Sequence, residues 1–111
     1  MAYDETLAAE IRELTSGEPG LTERKMFGGL AFLINGNMAV AASGRGGIMV
    51  RVDPDKSEAL VEQTKAQFFV MRGRPMRGWL QVDLEHLRIR RELGSWVELG
   101  TAYARSLPAK R

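Results

Sequence analysis

Asn35-Gly36-Asn37, set between two short apolar segments, Leu30–Ile34 and Met38–Ala42, constrains the fold of this chain more than any other feature. Asn and Gly both tolerate positive φ, which the tightest hairpin turns require, so the two segments are expected to be antiparallel strands joined directly. A second turn signal, Ser43-Gly44-Arg45-Gly46-Gly47, leads into Ile48-Met49-Val50-Arg51-Val52. Alternation there sends Ile48, Val50 and Val52 one way and Met49 and Arg51 the other. Connections this short exclude parallel neighbours, which need a much longer crossover. The three segments form a meander.

Helical patterns surround it. Asp4 is placed to cap a helix running to about Leu14, with Leu7, Ala8, Ile11 and Leu14 on one face, and Thr15–Gly20 is rich in turn residues. Asp53-Pro54-Asp55 is a helix-start signal, followed by a helix over Lys56–Ala66 with Leu60, Val61 and Thr64 inward. Phe68–Met71 reads as extended, Arg72–Gly78 as a loop, and Trp79–Asp83 as a further strand. Leu84–Arg91 reads as a helical turn or short helix. A last helix over Leu93–Leu107 is expected to be broken locally at Gly94 and Gly100, before a tail at 108–111. The fold class is therefore α+β: an antiparallel sheet of four to five strands, with helices at both ends and one between strands, packed mainly on one face.

At 111 residues the chain suits one domain and one core. It has no cysteine, which excludes disulfides, thiolate metal sites and cysteine nucleophiles. The acidic start, Met1-Ala2-Tyr3-Asp4-Glu5, is unlike a signal peptide, and no apolar run approaches the ~18 residues that span a membrane. A cytoplasmic protein without a membrane partner is expected. Net charge is only +2, yet twelve of the sixteen basic residues are arginines and six of these fall between Arg72 and Arg91. Arginine suits phosphate and carboxylate recognition, whereas the modest net charge argues against a strong nucleic-acid binder.

Lys25-Met26-Phe27-Gly28-Gly29, Asn35-Gly36 with Met38, Gly73-Arg74-Pro75-Met76-Arg77-Gly78-Trp79 and Leu107-Pro108 follow one another along the chain. In this order they resemble the N-terminal domain of the TfoX/Sxy family, from about residue 4 to 108. The resemblance implies an α+β fold. In full-length members it implies a regulator of natural competence that works with the cyclic-AMP receptor protein at promoters. Those regulators carry a second, C-terminal domain, so this chain is read as a standalone N-terminal domain. The resemblance brings no catalytic residue with it. Lys25, Met26, Phe27, Gly28, Gly29, Gly36, Pro75 and Gly78 are taken as structural parts of the motifs.

The Arg72–Arg77 segment is the main candidate for binding. Arg72, Arg74 and Arg77 are spaced by glycine and proline on a loop able to present guanidinium groups, with Met76 and Trp79 as an apolar anchor. The alternative is a packed turn with Trp79 in the core and the arginines paired to local acids. Ser43–Gly47 leads into a strand pattern, not a helix, so it is read as a hairpin turn and not a phosphate cradle. His86, the single histidine, lies beside Asp83 and Glu85 without a second imidazole, and is read as a surface residue. Most methionines are assigned to the core, with Met49 and Met76 as candidates for an interface.

The expected function is a non-enzymatic interaction domain in transcriptional or competence regulation, with no cofactor and no metal. Its partner would be a protein, such as a transcription regulator or a polymerase component. A second copy of the chain is also considered, as cover for an exposed sheet face. Two alternatives stand beside it. One is direct nucleic-acid binding by the same segment with Arg88, Arg90 and Arg91; the other is a small-molecule sensor or enzyme with a pocket near Gly28-Gly29.

Overall fold

The computed structural model describes residues 3–26 and 28–110; Phe27, of the glycine-containing motif, lies outside the described residues. Helix α1 (Glu5–Thr15) is capped by Asp4, whose carboxylate accepts from the Leu7 N–H at 3.0 Å. It buries Leu7, Ala8, Ile11 and Thr15. Strands β1 (Leu21–Met26), β2 (Gly29–Ile34), β3 (Asn37–Ala42) and β4 (Ile48–Arg51) then run as a meander. Asn35 (φ 51°) and Gly36 (φ 84°) form the two-residue β2–β3 turn that the sequence predicts.

Helix α2 (Pro54–Gln63) is capped by Asp53, which accepts from the Asp55 N–H at 2.9 Å, and the Thr64 hydroxyl closes it on the Leu60 carbonyl at 2.6 Å. Thr64 is an exposed cap, not an inward residue as the sequence reading had it; α2 buries Ser57, with Leu60 and Val61 half-buried. Strands β5 (Gln67–Met71) and β6 (Arg74–Val82) follow, then one 3-10 turn (Leu84–His86) and helix α3 (Arg90–Ser106). Among the described residues no helix is long and apolar enough to cross a membrane.

The sheet has six strands in the order β1-β2-β3-β4-β6-β5, and every neighbouring pair is antiparallel. Three expectations are corrected. The sheet gains β1, a mostly exposed edge strand whose Glu23, Arg24 and Lys25 hide it from an apolar-pattern reading. Residues 72–78 are not a loop: Arg72 (φ 53°) and Gly73 (φ 77°) make a two-residue hairpin turn and β6 begins at Arg74. Helix α3 runs unbroken through Gly94 and Gly100, because Gly100 sits where α3 touches β3 and a Cβ there would meet the Ala39 carbonyl.

Strand alternation divides the apolar residues between two faces. One carries Phe32, Ile34, Val40, Ile48, Val50, Leu80 and Val82, packed against Leu7 and Ile11 of α1 and Leu93, Val97 and Ala104 of α3. The other carries Ala31, Leu33, Met38, Ala41, Met49 and Phe69, with Met26, Met71, Met76 and Trp79 half-buried against them. Among the described residues no helix residue joins this second cluster. Its side chains bury one another because the sheet curls: Met26 of the edge strand β1 and Phe69 and Met71 of the opposite edge strand β5 line a single cleft.

Candidate functional site

The uncovered face follows from register. Leu33 pairs with Met38, Ala41 with Met49, and Phe69 with Met76, and cross-strand partners share a face. Past Met76 the β5–β6 register shifts, so that Phe68 faces Leu80. The intervening Arg77, Gly78 and Trp79 form a bulge in which Gly78 takes φ 85° and accepts from the Val52 N–H at 2.8 Å. The bulge returns Trp79 to the uncovered face. All five described methionines lie there, giving an unbranched, polarisable and adaptable floor.

Two adjoining clefts open on this floor, and Met26 lines both. The first, of about 230 Å³, lies between the β3–β4 turn and the end of β5, with Gly29, Ser43, Gly44, Arg45, Met49, Phe69 and Met71 in its wall. The second, of about 650 Å³, includes Arg24, Leu33, Met38, Arg51, Trp79 and Lys110 in its wall. The tail borders it, because the Lys110 N–H donates to the Asn35 carbonyl at 2.7 Å and the Asn37 side chain donates to the Pro108 carbonyl at 2.9 Å.

Two guanidinium groups are seated on aromatic rings at these clefts. Arg45 lies 4.9 Å from the centre of the Phe69 ring and donates to the Val70 carbonyl at 3.2 Å. Arg51 lies 5.0 Å from the Trp79 ring and 5.8 Å from that of Tyr103. A guanidinium stacked this way is oriented while its N–H edge stays free to meet an anion. Among the described residues neither Arg45, Arg51 nor Arg24 has a carboxylate partner.

The acids are engaged elsewhere. Glu23, the one acid bordering the second cleft, is gripped by Arg12 of α1 through two bonds of 2.7 and 2.9 Å. Hydrogen bonding from Arg12 holds its carboxyl below the usual carboxylate range and outweighs the desolvation that opposes it. Arg90 pairs with Glu13 and Arg105 with Glu18. The uncovered face is thus apolar and cationic, with its acidic neighbour neutralised.

The Arg72–Arg77 segment is divided by the fold. Arg77 is bound to α2 through Glu58 at 2.8 Å, Asp55 at 3.3 Å and the Pro54 carbonyl at 3.0 Å. Glu58 is held below the usual range, first by its own backbone N–H and then by Arg77. Arg74, opposite Met71, shares the uncovered side with Met76 and Trp79, while Arg72 is exposed at the hairpin turn. Arg90 is paired, and His86 ends the 3-10 turn; no group of three potential metal-ligating His, Asp or Glu residues occurs among the described residues. Sequence reasoning passed over Arg24, Arg45 and Arg51. The signal for Arg51 lay in the β4 alternation, which already set it beside Met49.

Comparison with known proteins adds the family. The family model described as the TfoX N-terminal domain matches residues 13–104 of this 111-residue chain. No curated protein matches it.

Proposed function

The chain belongs to the TfoX N-terminal domain family, and we propose on that premise that it is a non-catalytic contact domain of transcriptional or competence regulation, acting in the cytoplasm through a protein partner. The observation that carries this reading is the second apolar cluster, which no helix residue joins among the described residues and which gathers Met26, Met38, Met49, Met71, Met76 and Trp79. Its centre is buried, with Met38 6% and Met49 5% exposed, while the half-buried Met26, Met71 and Trp79 line two clefts; adaptable side chains at a cleft suit a protein contact. The contact surface proposed is this face and not the isolated Arg72–Arg77 segment, because Arg77 is committed to α2.

Site-specific photo-crosslinking in the cells that make the protein tests this. A benzophenone side chain at Met71 or Met76, both half-buried at the rim of the face, should capture one and the same transcription component. The same group at Glu98 on the exposed side of α3 should not. Capture of that component from Glu98 alone, or capture of DNA from the Met positions, would overturn the reading.

A further inference from the structure

We propose that the occupant of the uncovered face is an apolar segment of a partner protein flanked by carboxylates, with Arg45 and Arg51 binding its two acidic ends. This rests on the contact-face reading above and names the partner chemistry. Arg45 precedes β4 and Arg51 ends it, so the two guanidiniums stand at opposite ends of a floor centred on Met49. Four strand residues at about 3.3 Å each make β4 roughly 10 Å long, with the Arg45 turn before it and Arg51 at its end. An extended segment meets both when about three or more residues separate its acids. The intervening side chains then enter the clefts beside the half-buried Met26, Met71 and Trp79.

Charge complementarity selects this occupant over two others. A second copy of the chain, face to face, would bring Arg24, Arg45 and Arg51 of each protomer together without a carboxylate between them, since Glu23 belongs to Arg12. Burying unpaired like charges is costly. A single-stranded nucleic acid needs open ring faces for stacking. Here Phe69 is only 7% exposed and lies under Arg45, and Trp79 is half-buried under Arg51. What remains open on both rings' partners is the guanidinium edge, which takes a carboxylate in paired hydrogen bonds.

The test is a selection of phage-displayed random 12-residue peptides on the immobilised protein. Anisotropy titrations of an enriched peptide and amide-shift mapping of its footprint follow. Enriched sequences should carry at least two Asp or Glu residues around an apolar stretch. Replacing those acids by Asn or Gln, or using the Arg45→Gln/Arg51→Gln protein, should weaken binding by roughly 30-fold or more. Arg88→Gln, on an exposed residue outside the face, should change it less than about 2-fold. Neutral peptides that map to the face, with affinity indifferent to the double variant, would overturn the acidic occupant and leave the contact face standing. Peptides mapping to the helix side, or no enrichment over the bare support, would overturn both. Binding of a dT12 oligonucleotide that falls steeply with salt and is lost in the double variant would overturn both in favour of nucleic acid.

Discussion

Arg72 holds a left-handed backbone conformation, φ 53°, at the first position of the β5–β6 turn, with Gly73 at φ 77° beside it. Outside glycine and asparagine this conformation costs about 1 kcal/mol or more, so Arg72→Asn should stabilise the fold by about 0.5–1 kcal/mol. Chemical denaturation measures it, and a loss of stability would show that the arginine contributes more than its strain removes. Glu23 offers a second residue-scale prediction. Its folded carboxyl is depressed by Arg12, so its contribution is present above the unfolded glutamate value and is lost as pH falls through the lower folded value. Glu23→Gln should therefore lower the thermal midpoint slightly at pH 7, and the gap from wild type should close in acid. A gap that widened on acidification would show that the pair does not stabilise the fold. Arg51 was legible at this scale because alternation alone sets it beside Met49. Arg45 was not, because a turn residue has no period, and only the curl of the sheet brings Phe69 beneath it.

Helix α3 carries two glycines that primary structure cannot tell apart and packing separates. A Cβ on Gly94 would meet only a Leu14 methyl at 3.9 Å, whereas one on Gly100 would strike the Ala39 carbonyl and crowd Val50 at 3.2 Å. Gly94→Ala should stabilise the protein by about 0.5–1 kcal/mol through helix propensity. Gly100→Ala should cost about 1–3 kcal/mol through overpacking. Equal effects in thermal or urea unfolding would contradict the close approach of α3 to β3. The other elements divide the same way. The hairpins around Asn35-Gly36 and the capped helices at Asp4 and Asp53 were legible because their signals are local. Strand β1 was not, since an edge strand with Thr22, Glu23, Arg24 and Lys25 mostly in solvent has no apolar alternation to read. The start of β6 was obscured by Pro75, which is acceptable there because its partner Val70 needs no N–H from it two residues beyond the turn.

Across the whole molecule, a net charge of +2 conceals an uneven arrangement. Ion pairs tie α1 to β1, α1 to α3, and α2 to the β6 bulge, whereas the uncovered face keeps Arg24, Arg45 and Arg51 without carboxylates among the described residues. No composition or spacing rule conveys this, because it depends on which acids the fold draws away. The arrangement has a consequence for association. Apolar area favours pairing of two copies through this face, and six opposed guanidiniums resist it. The Debye length of about 10 Å at 0.1 M salt leaves that repulsion in force at contact, and about 3 Å at 1 M removes most of it. Sedimentation velocity should therefore show a monomer at low ionic strength, with self-association growing as salt rises and abolished by Met76→Lys on the half-buried rim of the face. A dimer already formed at low salt and dissolved by Met76→Lys would assign the face to a second copy, and the methionine floor would then serve symmetry instead of an acidic partner.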